Sequence, residues 1–168
     1  VHGHNNIENT VIFPHNIGIG CTRNPELSSQ IGRITAIEKA ATGVRWAYSP
    51  CLAVPQDERW GRTYEGYGEE PNLVKQMGVS YVQGFESVTL PDGGAVLPCP
   101  KHFAGDGGTN EGIDRGNTIA DYETFKKKHL SPYLDSTILN CGSIMVSFSS
   151  LNGVPMHGNK TLIDDYLK

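Results

Sequence analysis

Pro98-Cys99-Pro100-Lys101-His102-Phe103-Ala104-Gly105-Asp106-Gly107-Gly108-Thr109 is the stretch on which the reading of this chain turns. An apolar run ends on a cation, an imidazole and an acid set among glycines, the pattern of a strand that runs into a polar pocket. Asp57-Glu58-Arg59-Trp60-Gly61-Arg62-Thr63-Tyr64-Glu65 and Ser147-Phe148-Ser149-Ser150-Leu151-Asn152-Gly153 each follow another apolar run in the same way. Three strand ends that open into polar loops point to one shared site.

Outward from that stretch, strands alternate with helices. Asn24, Pro25 and Glu26 supply a cap, a proline for the first helical position and an acid for the first turn, and Gly43 ends the helix. Leu27, Ile31, Ile34, Glu38 and Ala41 share one face of it, the face expected to be buried. Residues 44–54 read as a strand. Pro71 opens a second helix with a buried stripe of Leu73, Val74, Met77 and Tyr81, ending near Gly84. Residues 95–99 and 143–148 read as further strands, 121–139 as helical with a break near Pro132, and Leu162 and Tyr166 belong to a last helix. Nearly continuous apolar strands alternating with helices imply a parallel sheet covered by helices, either doubly wound or a barrel. In both, ligands sit at the carboxyl ends of the strands, where Arg62, Lys101, His102 and Phe148 fall. A full eight-unit barrel takes ~250 residues, so 168 residues would supply part of one.

Composition narrows the function. The net charge is −4, and the one basic cluster, Lys126-Lys127-Lys128, reads as a solvated helix face, so a nucleic-acid partner is not expected. No apolar run is long enough to cross a bilayer. Four cysteines, Cys21, Cys51, Cys99 and Cys141, lie far apart without a C-x-x-C pair, and Cys51 and Cys99 sit in apolar runs as buried thiols. Asn159-Lys160-Thr161 matches a glycosylation acceptor, but Asn159 stands where the last helix begins and reads as its cap. The chain starts at Val1, inside a motif-like string, and reads as a piece of a longer protein.

The motifs carry a family resemblance. Val1-His2-Gly3-His4-Asn5-Asn6, Ile12-Phe13-Pro14-His15-Asn16, Arg59-Trp60-Gly61-Arg62-Thr63-Tyr64-Glu65, Lys101-His102-Phe103 with Gly105-Asp106-Gly107-Gly108-Thr109, and Ser147-Phe148-Ser149-Ser150 with Asn152-Gly153 resemble glycoside hydrolase family 3. The likeness is greatest to its β-glucosidases and plant-type β-D-glucan exohydrolases, and it runs in order over the whole chain. It implies an α/β fold, an internal part of a (β/α)8 barrel, with residues 1–168 forming one partial N-terminal barrel domain. It further implies a β-glucoside or β-glucan oligosaccharide as substrate and no cofactor. The remaining partners would be the rest of the barrel and a second domain, in an extracellular or periplasmic setting.

By matching position, the resemblance makes Arg62, Lys101 and His102 ligands of the hydroxyls of a terminal glucose. Phe148, Trp60 and Asp106 are further candidates for the pocket, and Trp60 reads equally as a stacking platform for a pyranose and, between two arginines, as packing of its own loop. Family members of this kind are retaining enzymes whose two carboxyl groups stand ~5 Å apart. The nucleophile is expected after Lys168 and the acid/base elsewhere, so no catalytic residue is assigned within the chain. Glu65 and Asp106 read as loop-ordering acceptors or partners of arginines. Asp106 stands where the family's β-N-acetylglucosaminidase branch has a catalytic histidine, which favours the glucosidase branch. Phe148, Leu151 and Arg115 depart from the tyrosine, tryptophan and acid of the plant-type relatives, and fine specificity is where those departures act.

Two other readings stand beside it. His2-Gly3-His4 at the head of a barrel-like chain, with Lys101, His129, His157 and Asp164 downstream, mimics the ligand order of a metal-dependent amidohydrolase. Against that, His129 follows three lysines on an expected solvent face and His157 falls in a turn. The third reading is a non-catalytic sugar-binding relative.

Overall fold

A computed structural model describes residues 5–168 of the chain; His2 and His4, and with them the opening Val-His-Gly-His string, lie outside the described residues. The order of elements is α1 (Asn16–Cys21), α2 (Pro25–Ala41), β1 (Trp46–Ala47), α3 (Pro71–Glu86), β2 (Leu97–Pro98), β3 (Lys101–Phe103), β4 (Asn117–Thr118), α4 (Tyr122–Phe125), a π-helical turn (Lys126–Leu130), α5 (Ser136–Leu139), β5 (Met145–Val146), β6 (Ser150–Leu151), β7 (Val154–Pro155) and α6 (Lys160–Tyr166). Single 3-10 turns occupy Thr63–Glu65, Asp106–Gly108, Asn110–Gly112 and Met156–Gly158. The fold is α/β, as the alternation predicts.

The helices start where their local chemistry dictates. Asn24 accepts a hydrogen bond from the Leu27 amide with Pro25 at the first helical position, and Asn159 caps α6 by accepting from the Leu162 amide. The Glu70 carboxylate caps α3, accepting from the amides of Asn72 and Leu73, a cap that the more obvious Pro71 beside it masks in the sequence. α1 has no such signal: it carries no side-chain cap and only six residues.

The three expected strands are present as short pieces. β1 pairs in parallel with β2, Trp46 opposite Leu97, and β3 pairs in parallel with β5, Lys101 opposite Met145, with an irregular register before Phe103. A parallel bridge between Cys51 and Lys101 joins the first strand to the second, completed by Lys101 N donating to Pro50 O at 3.0 Å and Leu52 N to Lys101 O at 2.6 Å. Neighbouring strands thus follow one another in sequence order, the arrangement of an arc of a barrel. Their shortness has a chemical cause: Pro50, Pro98 and Pro100 have no amide to give to a ladder. The Ser49–Pro50, Lys101–His102 and Phe103–Ala104 peptides are cis. β6 turns back into antiparallel β7 through Asn152 and Gly153, both at positive φ (49° and 84°), the Asn-Gly hairpin chemistry.

The main core lies between strands and helices and includes Leu52, Val54, Val74, Met77, Phe103, Phe125, Leu130 and Tyr133. α3 buries Val74, Met77 and Tyr81, as its stripe predicts, while Leu73 is only partly covered. For α2 the expected face is wrong. The buried residues are Ser28, Gly32 and Ala36, while Ile34 is exposed. Small residues let α2 approach α3 backbone to backbone: a Cβ on Gly32 would sit 2.2 Å from the Tyr81 carbonyl oxygen, and one on Gly84 1.9 Å from that of Ser29. Among the described residues no helix is long and apolar enough to cross a membrane.

Candidate functional site

Loops that leave the three parallel strands deliver their polar residues to one edge. Tyr48, Arg62, Lys101, His102, Asp106, Asp114, Arg115, Ser147 and Phe148 are among the residues around a pocket of about 170 Å³. Arg62, Lys101 and His102, far apart in the chain, therefore face the same space, with Phe148 at its rim, 73% exposed and its ring 4.9 Å from that of His157.

A network of charge orders that edge. Arg62 binds Glu65 through two hydrogen bonds, Nε to Oε1 at 2.6 Å and Nη2 to Oε2 at 3.0 Å. Partial burial opposes the guanidinium charge, but the two bonds and the charge of Glu65 more than offset it, so the Arg62 pKa is raised. Lys101 Nζ lies 3.5 Å from Glu65 Oε2, both side chains 3% exposed. An ammonium has three N–H groups, so one long contact leaves donors for a ligand oxygen. Arg62 Nη2 also meets His102 Nε2 at 3.1 Å, and His102 Nδ1 meets Asp106 Oδ2 at 2.7 Å.

The glycines of the Lys101 loop make this packing possible. Gly105 has φ 93°, and a Cβ there would lie 2.6 Å from the Phe125 ring; one on Gly108 would lie 2.3 Å from His129 Nε2. His129 is accordingly not on a solvent face, as the three preceding lysines suggest, but buried under the loop, and burial pushes its pKa down to about 4. Lys127 and Lys128 stay exposed, Lys128 donating to Gln56 Oε1 at 2.9 Å.

The structure corrects one pocket candidate. Trp60 is 2% exposed, packs with Cys51 and Ala53, and donates its indole N–H to Asp114 Oδ1 at 3.3 Å, so no face of its ring is open to a sugar. Of its two readings, sugar stacking and packing of the loop between two arginines, the structure supports packing, as the large apolar surface of an indole favours. Tyr48, Asp114 and Ser147 also line the pocket, and sequence reasoning misses them because a lone tyrosine, aspartate or serine carries no local signal. Cys51 and Cys99 are buried free thiols as read, and burial, with the charges of Asp106 and Glu65 adding to it, pushes Cys51 up to about 12. Glu65 is a partner of Arg62, an arginine as read, and of Lys101 as well, and Asp106 is bound to His102.

Comparison with known proteins identifies the family. The family model described as "Glycosyl hydrolase family 3 N terminal domain" matches residues 1–168. The chain is 29% identical over 94% of its length to a periplasmic β-glucosidase of Salmonella typhimurium, of which it covers 20%. Superposed on an exo-1,3/1,4-β-glucanase from a Pseudoalteromonas species it gives a TM-score of 0.90 at 44% identity, covering 99% of this chain and 21% of that one. A β-glucosidase from Listeria innocua in complex with glucose matches with a TM-score of 0.86 at 26% identity, over 94% of this chain and 22% of that one. The chain thus spans about a fifth of the length of the relatives it matches.

Proposed function

Since the chain belongs to glycosyl hydrolase family 3, we propose that it is the sugar-recognising part of a longer, retaining, exo-acting β-glucosidase or β-glucan exohydrolase. The observation that carries the proposal is the convergence of Arg62, Lys101 and His102 on one pocket, beside two buried carboxylates that are held by their own partners. A terminal glucose offers a ring of vicinal hydroxyls. Arg62 and Lys101 donate to their oxygens, and His102 fixes a third polar direction. A pocket of buried donors and acceptors rejects a sugar whose hydroxyl is missing or inverted, because its own groups are then left unpaired.

In this reading the chain binds and orients the non-reducing sugar, and the two reacting carboxylates come from outside it. Glu65 and Asp106 are held by cationic or imidazole partners and are assigned neither role. The substrate is a β-glucoside or β-glucan oligosaccharide, and the remainder of the barrel and a second domain complete the site. An extracellular or periplasmic location follows from the same kinship, supported by the periplasmic relative. The amidohydrolase reading is not favoured, because the family match covers the chain from end to end and His129 is buried against Phe125 while His157 packs on Phe148.

The test is hydrolysis of an aryl β-glucoside and of β-linked glucan oligomers by the longer protein, with and without chelator. Glucose released from the non-reducing end, insensitive to chelator, is expected. Chelator-sensitive amide hydrolysis without glycosidase activity overturns the proposal, and binding of glucose without any turnover selects the non-catalytic relative.

A further inference from the structure

The pocket has a buried end and an open mouth, and the two use their cations differently. At the buried end Arg62 and Lys101 share Glu65, and His102 is bound to Asp106. At the mouth Asp114, Arg115 and Phe148 are exposed. The Arg115 side chain is 68% exposed and meets one partner, Asp114, with Nε 3.3 Å from Oδ2. Among the described residues its Nη1 and Nη2 make no hydrogen bond, so the two-pronged edge of the guanidinium stays open.

That arginine is held there against its backbone preference. Gly116 N donates to Ile113 O at 3.0 Å and closes a turn in which Arg115 has φ 58°, a conformation that glycine or asparagine takes readily and arginine rarely. The turn rests on a rigid support: the buried Trp60 donates its indole N–H to Asp114 Oδ1 at 3.3 Å, and a Cβ on Gly112 would lie 2.6 Å from Trp60 N. Trp60 thus anchors Asp114, and Asp114 anchors Arg115. Strain retained at the mouth of a pocket is ground for assigning its side chain a task.

We propose that Arg115 is a specificity-determining residue that selects leaving groups carrying a carboxylate. This rests on the exo-acting glycosidase reading of the pocket: the terminal sugar fills the buried end, and whatever is joined to it leaves past the mouth. To that reading it adds the chemical class of the group on the far side of the scissile bond. The open Nη edge of Arg115 matches the two oxygens of a carboxylate, and the exposed ring of Phe148 on the same rim offers an apolar face to the ring that bears it. An acidic sugar and an aromatic acid both present a carboxylate on a ring. Asp114 binds through the Nε edge and tempers the attraction without blocking it, which keeps the effect on the scale of one exposed ion pair.

The experiment uses the longer protein and matched pairs of substrates. One pair is 4-carboxyphenyl and 4-carbamoylphenyl β-glucoside; the other is glucose β-linked to glucuronic acid and to glucose through the same hydroxyl. The readout is kcat/KM for the acid divided by that for its neutral match, so that intrinsic reactivity cancels when proteins are compared. Arg115→Ala should lower this ratio by roughly 5-fold, chiefly through KM, and Arg115→Glu by roughly 20-fold, as attraction becomes repulsion. Arg115→Gly, which suits the left-handed turn, should match Arg115→Ala and so separate the charge from the turn's geometry. Raising the salt concentration about tenfold should bring the ratio of the unaltered protein toward that of Arg115→Ala. A fall in one pair alone assigns the site to that source of carboxylate, the aromatic acid or the acidic sugar. Ratios that are the same in the unaltered protein, Arg115→Ala and Arg115→Glu overturn the proposal while leaving the glycosidase reading standing. Failure to hydrolyse any of these glucosides overturns both.

Discussion

The α2–α3 pair and the charged edge around Lys101 are held together by opposite means. The helices meet through absence: Gly32 and Gly84 remove side chains so that backbones touch, and Ser28 reaches across to the Met77 carbonyl at 2.8 Å. The edge is held by presence, with Arg62, Glu65, Lys101, His102 and Asp106 binding one another and all but Arg62 buried. Non-directional packing tolerates many sequences of the right size, while a buried charged network leaves an uncompensated group when any member is lost. One region sets the scaffold's rigidity, and the other is where loss of a single atom group should be read in function.

The sharpest way to break the contrast is Gly84→Ala. Its Cβ would lie 1.9 Å from the Ser29 carbonyl, and the obstacle is backbone, which cannot swing aside. A loss of about 3 to 4 kcal/mol is expected in urea unfolding of the longer protein. A shift below about 1 kcal/mol would show that the helices are free to part. Lys101→Ala should act on the other region alone. Arg62 still pairs Glu65, so the fold should hold while kcat/KM for aryl β-glucoside falls by roughly 100-fold, about 2.7 kcal/mol of transition-state binding. Part of it should appear in kcat, because hydroxyl contacts tighten as the ring distorts. An unchanged kcat/KM would remove Lys101 from the site.

His129 links the two kinds of region, a titratable group buried as if it were apolar. Its folded pKa of about 4 lies below the ordinary value of 6.5, so the unfolded chain takes up its proton first as the pH falls. The stabilisation is complete above about pH 6.5 and is lost on the way down to about pH 4, the loss having reached about 2 kcal/mol at pH 5. His129→Gln should flatten stability over that window; a profile as steep as the unaltered protein's would assign the acid sensitivity to other groups. The smallest expected effect is at a helix end. Asn24→Ala removes the acceptor for the Leu27 amide and should cost about 1 kcal/mol with kcat/KM unchanged. Altered kinetics there would mean that the scaffold and the edge are not separable.

The two regions are legible in the sequence to different degrees. Asn24-Pro25, Pro71 and Asn159 mark helix starts because a cap needs only residues within one turn of it, and the stripe of Val74, Met77 and Tyr81 reports burial because a helix repeats every 3.6 residues. The Lys101-His102 strand end is legible for the same local reason, a polar pair interrupting an apolar run. The buried face of α2 is not. Hydrophobicity points to Leu27 and Ile34, while the packing chooses Ser28, Gly32 and Ala36, since what decides a close helix pair is the room the partner leaves.

By itself, the sequence determined the alternation of strands and helices, the caps at Asn24 and Asn159, the family and the three residues that meet at the pocket. Only the tertiary structure decided that Trp60 and His129 turn inward and that both Asp106 and Arg62 meet the His102 ring. Caps and periodicity are properties of neighbours in the chain. A hydrogen bond between Arg62 and His102, or an imidazole ring under Gly108, exists only once separate strand ends are brought to one edge, and no local pattern encodes the distance between them.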